Sequence, residues 1–94
     1  MVSFSREASK QYDKLERSGS RPPINDVIDM LVLDLQKYGP LQLSWPHFGA
    51  LQAEHFHCHL RRGQPTYVAC WRTIDKQIKQ IEVYYVGSHE GAPY

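Results

Sequence analysis

The spacing of apolar positions changes near the middle of the chain, from a helical period to an alternating one. In "SREASKQYDKLERSGS", Ala8, Tyr12 and Leu15 recur at helical spacing with charged residues between them. Ser5 is a suitable N-cap, and the "SGS" at 18–20 stops the segment, so a helix is predicted over 6–17. The preceding "VSF" can form a short opening strand. "RPP" at 21–23 can set the first turn of a second helix, with Asn25, Asp26 and Asp29 placing negative charge near its positive end. Val27, Leu31 and Leu35, helped by Ile28 and Tyr38, give that helix an apolar stripe, and "GP" at 39–40 ends it. Two helices joined by a short loop predict an antiparallel hairpin.

Beyond residue 40 the period shortens. "LQLSWPHFGALQAE" contains Pro46 and Gly49, shows no sustained period and reads as a connecting segment. "HFHCHL" then alternates strictly: His55, His57 and His59 on one face, Phe56, Cys58 and Leu60 on the other. "RRGQP" reads as a turn, "TYVACWRT" as a strand, "IDKQ" as a second turn and "IKQIEVYYVGS" as a final strand. The last three strands predict an antiparallel meander. Its segments 66–73 and 81–86 are apolar on both faces, so the helices can cover one face while the other exposes aromatics from among Tyr67, Trp71, Tyr84 and Tyr85. The expected fold is α+β: a short N-terminal strand and a two-helix hairpin packed on a C-terminal antiparallel sheet of about four strands.

Length allows one domain, residues 1–94, with one modest core. Hydrophobic residues make up 41% and charged residues 22%, a globular composition. The longest apolar run, "MLVL" at 30–33, is far too short to span a bilayer, so no membrane association is expected. The N-terminus lacks the apolar core of a secretory signal, which points to a cytoplasmic protein. Cys58 and Cys70 are then reduced thiols serving as small core hydrophobes. Net charge is only +1. Residues 55–94 nevertheless carry five basic and three acidic side chains and four of the five histidines, so a polyanion would sit on that half.

Alternating histidines on one strand spread over about 13 Å at roughly 3.3 Å per residue, so only an adjacent pair could share a metal ion. A third ligand would have to come from Glu82, His89 or Glu90, and Cys58 points to the other face. No metal or other cofactor is therefore expected. One alternative is a solvated strand face on which histidine stands in for any polar residue. Arg61, however, continues the alternation of His57 and His59, and His89 lies just past the last strand, ahead of the C-terminal Tyr94. That set suits RNA cleavage by transesterification, in which the 2′-hydroxyl attacks its own 3′-phosphate. Histidine, with an ordinary pKa of about 6.5, can serve as base or acid, and arginine holds phosphate oxygens in a planar donor fork. Exposed aromatics can stack splayed bases. His47 and His55 read as loop or strand-edge residues, and Lys76 and Lys79 as solvating a turn.

Read together, "VSFSREASKQYDKLERS", "FHCHLRRGQPTYVACW" and "IEVYYVGSHEGAPY" resemble the RelE/ParE superfamily of bacterial type II toxin–antitoxin toxins over nearly the whole chain. The opening "F-S-x-x-A-x-K", the basic alternation "FHCHLR" on the second strand and the closing "VG-x-[RH]-E" pattern carry the likeness. The resemblance implies a toxin held inactive by a cognate antitoxin that wraps it. Its activity would be an endoribonuclease (mRNA interferase) cutting messenger RNA, on the ribosome and without a cofactor. Carried over by position, it implies that His57 and His59 handle the nucleophile and phosphate and that Arg61 contacts phosphate. His89 would act on the scissile phosphate or leaving group, and Tyr94 would orient substrate or transfer a proton. Arg62, Tyr67 and Arg72 would contact RNA. Family members often carry Tyr-Arg at the start of the third strand; here Tyr67 lacks that arginine and Arg72 lies at the strand's far end, leaving Arg61 or Arg62 to supply the charge. Two alternatives stay open: a ParE-like inhibitor of DNA gyrase without nuclease activity, and a degenerate, non-toxic homologue that only binds a partner or DNA.

Overall fold

A computed structural model describes the whole chain, Met1–Tyr94. Strand β1 (Val2–Phe4) leads into helices α1 (Arg6–Arg17) and α2 (Ile24–Tyr38). Strands β2 (Gly49–Gln52), β3 (His55–Arg61), β4 (Tyr67–Asp75) and β5 (Gln80–Ser88) follow, and a 3₁₀ turn (His89–Gly91) closes the chain. The fold is α+β, with one sheet in the order β1-β5-β4-β3-β2. It has five strands rather than about four, because "GALQ" in the expected connecting segment pairs antiparallel with β3. It is also mixed, since β1 runs parallel to β5.

Helix α1 occupies its expected span. Ser5 Oγ accepts from the Ala8 N–H at 3.1 Å, satisfying one of the donors left free in the first turn. α2 has no side-chain cap from its own N-cap Pro23; the Ile24 N–H donates to Ser20 Oγ instead. Gly39 ends the helix with φ at 87°, a left-handed conformation that favours glycine. The buried face of α2 is Ile24, Ile28, Leu31 and Leu35; Val27 is half-buried and Tyr38 points to solvent. The stripe is thus centred on Ile28 rather than Val27.

Both helices lie on one face of the sheet. Their apolar residues meet Phe56, Cys58, Leu60, Ala69, Trp71, Ile81 and Val83, forming the main core. Trp71 anchors it: the side chain is fully buried, stacks near Phe48 and Phe56, and donates from Nε1 to the Pro40 carbonyl at 3.0 Å. That bond gives the polar edge of a buried ring its partner and pins the segment after α2. Of the aromatics considered for the second face, Trp71 and Tyr67 therefore belong to the helix side.

Bulges decide what the second face carries. In β5 the register shifts so that Cys70 faces Tyr85 while Trp71 faces Val83, leaving Tyr84 as the extra residue. Tyr84 and Tyr85 are both half-buried between buried Val83 and Val86, so both belong to the face away from the helices. On that face Val68 and Cys70 are fully buried although no helix covers them. Their cross-strand neighbours are His59 and Gly87 for Val68, and His57 and Tyr85 for Cys70. The second face is covered by its own imidazoles and tyrosines.

The turn between β4 and β5 falls two residues later than expected, at 76–79, with Asp75 Oδ1 accepting from the Gln77 and Ile78 N–H groups. No helix is long and apolar enough to cross a membrane.

Candidate functional site

Alternation along β3 places His55, His57 and His59 on the open face and Phe56, Cys58 and Leu60 in the core. Next to β3, the turn at Ala53 and Glu54 folds β2 back with Gly49 opposite His57, so His47 comes level with His59. The chain is held there by the His59 N–H, which donates to the Pro46 carbonyl at 2.8 Å. The His47 and His59 rings stack with centroids 4.2 Å apart and planes 28° from parallel. Gly49 leaves room for His57: a Cβ there would come within 3.2 Å of His57 Nε2.

From the other side the C-terminal tail supplies His89 and Tyr94. The Tyr85 hydroxyl donates to the Ser88 carbonyl at 2.7 Å and the His89 N–H donates to the Thr66 carbonyl at 2.7 Å, which aims the 3₁₀ turn across the sheet. The His89 ring meets His59 edge-on at 5.5 Å, Tyr94 lies over His57 at 4.7 Å, and His89 and Tyr94 are 5.8 Å apart. Beside them, His59, Gly63, Gln64, Pro65, Thr66, His89 and Glu90 line a polar cleft of about 820 Å³.

Of the residues singled out from sequence, His57, His59, His89 and Tyr94 converge. His47, read there as a loop residue, joins them. The hairpin register carries part of the signal: pairing "GALQ" with β3 sets Gly49 opposite His57, and the turn before it brings His47 to His59. His55 stands apart, its ring edge-on to Tyr84 at 5.6 Å.

The arginines and Tyr67 are placed differently. At the end of β3 a second bulge makes Leu60 the extra residue, so Arg61 pairs with Tyr67 instead of continuing the histidine row. Its guanidinium donates to the Pro22 carbonyl at 2.6 Å, at the entry to α2. Tyr67 packs on the main core beneath the helices. Arg72 reaches the open face near His55, where an ion pair with Glu82 at 2.8 Å occupies it. Arg62 is exposed, close enough for its charge to act on His59.

The electrostatics favour the neutral forms of His57 and His59. Burial lowers the His57 pKa below the ordinary 6.5, and His89 and His47 push it the same way. For His59 the causes are again burial first, then His47, His89, His57 and Arg62. His57 Nδ1 is buried without a hydrogen-bond partner. Burial also raises the Tyr94 phenol above its ordinary value of 10.0. Cys58 and Cys70 are buried free thiols, each pushed up to about 12 by burial, so neither offers a thiolate near neutral pH. No three His, Cys, Asp or Glu side chains are placed to hold one metal ion.

Comparison with protein-family models, curated proteins and solved structures gives no match.

Proposed function

We propose that the protein is an endoribonuclease that cuts messenger RNA by acid–base transesterification, acting as the toxin of a toxin–antitoxin pair in the manner of RelE-like proteins. The observation that carries this reading is the gathering of His47, His57, His59, His89 and Tyr94 on one open sheet face, with neighbouring rings 4.2–5.8 Å apart. The order of motifs along the chain, which resembles that family, supports it further.

In this mechanism neutral His59 accepts the proton of the RNA 2′-hydroxyl as its oxygen attacks phosphorus. The bond from phosphorus to the 5′-oxygen breaks, and His89, across the cleft, donates a proton to that leaving oxygen. A 2′,3′-cyclic phosphate and a 5′-hydroxyl result. His57 and Tyr94 lie against one another and orient the phosphate. Arg62 supplies permanent positive charge, because Arg61 is engaged at Pro22 and Arg72 at Glu82. The partners in this reading are ribosome-bound message and a cognate antitoxin, in the cytoplasm.

Inducible expression in growing cells tests it. Wild-type protein is expected to arrest translation and fragment transcripts, and His57→Ala with His89→Ala together to abolish both. Intact toxicity and cleavage in that double variant would overturn the assignment. Gyrase inhibition without RNA cleavage would identify a ParE-like inhibitor instead.

A further inference from the structure

His47 lies outside the strand that carries the other imidazoles, and its placement serves no packing purpose: the residue is exposed and absent from the core. Three features nonetheless hold it in one place. The Pro46 carbonyl is tied to the His59 N–H at 2.8 Å, and the Phe48 N–H closes a turn onto the Trp45 carbonyl at 3.2 Å. The backbone at His47 is itself left-handed, with φ at 53°, an uncommon conformation for a non-glycine residue, although histidine takes it more readily than most. That turn in the backbone lays the His47 ring on His59 at 4.2 Å, closer than any other ring pair on this face.

We infer that His47 is a positioning residue for His59: its ring, stacked on His59 at 4.2 Å, fixes the plane of the imidazole that accepts the proton. The catalytic part of this inference rests on the reading of His59 as the base. Its physical part does not. Stacking covers one face of the His59 ring, and His59 and His89 line the same polar cleft. Other groups facing His59 are His57 from the same strand, His89 and Glu90 from the tail, and Arg62 from the following turn. With the imidazoles neutral, Arg62 and Glu90 are the only charges facing it; burial first, then repulsion from His47 and the other imidazoles as they take up protons and from Arg62, disfavours a charged His59. Ordinarily such a field would be screened at an exposed position, but the stack excludes water from between the two rings.

Two variants separate the ring from its charge. His47→Phe keeps an aromatic face and removes the nitrogens; His47→Asn suits the left-handed backbone and removes the ring. The His59 ring resonances are followed by NMR across pH in wild type and both variants, alongside the pH profile of message cleavage. The His59 midpoint is expected to rise in both variants, and the acidic limb of cleavage to move to higher pH with it. Plateau cleavage is expected to survive in His47→Phe and to fall several-fold in His47→Asn. A His59 midpoint unmoved in both variants would overturn the inference, as would a loss of stability without any change in midpoint. If wild-type protein cuts no RNA, the proposed function fails, while the NMR midpoints still decide the role of His47.

Discussion

Replacing Tyr85 by phenylalanine deletes a single oxygen from the turn that places His89 and Tyr94. The hydroxyl donates to the Ser88 carbonyl at 2.7 Å, and the chain wraps it closely: a Cβ at Gly87 would lie 2.8 Å from it and one at Gly91 2.9 Å. Glycine at both positions is what lets the tail close around the phenol. A half-buried neutral hydrogen bond contributes about 0.5–1.5 kcal/mol, and the ring itself remains in the variant. Loss of that amount shifts the ratio of placed to displaced tail by roughly 2- to 13-fold. Urea denaturation of Tyr85→Phe is therefore expected to show a loss of about 1 kcal/mol, and thermal unfolding a drop of about 4–8 °C in Tm for a domain of this size. Cleavage of ribosome-bound message should fall by no more than about tenfold, because the chemical groups are intact and only their placement is loosened. A hundredfold loss of cleavage at unchanged stability would put Tyr85 in the chemistry itself. Unchanged stability together with unchanged cleavage would mean that the hydroxyl does not hold the tail.

Other expectations follow from the same geometry. Gly87→Ala brings a Cβ to 2.8 Å from the Tyr85 hydroxyl and 3.1 Å from its ring carbon, so it should cost about 1–3 kcal/mol. In a double-mutant cycle that cost should shrink in the Tyr85→Phe background, where the nearer atom is gone. Denaturation across pH should show stability falling as pH drops below about 6.5: with His57 and His59 lowered in the fold, the unfolded chain binds the extra protons there, and the stability present at neutral pH is lost on acidification. His57→Gln with His59→Gln should flatten that dependence. Arg61→Ala, removing a guanidinium engaged at Pro22, should leave cleavage within threefold of wild type. Arg62→Ala should reduce it about tenfold or more, the scale of one charge-assisted hydrogen bond at about 1.5 kcal/mol.

What was legible in the sequence and what was not divides along a physical line. Local signals held: the Ser5 cap, the Gly39 stop and the alternation that sends Phe56, Cys58 and Leu60 inward are set by neighbouring residues, and each is found in the fold. Features that depend on pairing were missed. "GALQ" has no β-branched or aromatic residue and follows Pro46, so nothing local marks β2; it is a strand because β3 offers it a free edge. Hidden with β2 was the register that brings His47 to His59. The bulges at Leu60 and Tyr84 are equally invisible along the chain, yet they turn Arg61 toward the helices and hold Tyr84 and Tyr85 on the open face. The expected site joined His57, His59 and Arg61 to His89 and Tyr94; the histidines and Tyr94 meet, Arg61 turns away to Pro22, and the polar cleft between the two sides required the tail's contacts with Thr66 and Tyr85.

If imidazoles on this face run the proton transfers, the chemistry of the cut RNA ends records it. Ribosome-bound message treated with purified protein is expected to carry 5′-hydroxyl ends, which accept label from polynucleotide kinase without prior phosphatase, and matching 2′,3′-cyclic phosphates. His59→Ala and His89→Ala should each remove both products. Ends bearing 5′-phosphate, or unchanged 5′-hydroxyl ends from the His59→Ala and His89→Ala proteins, would contradict the account.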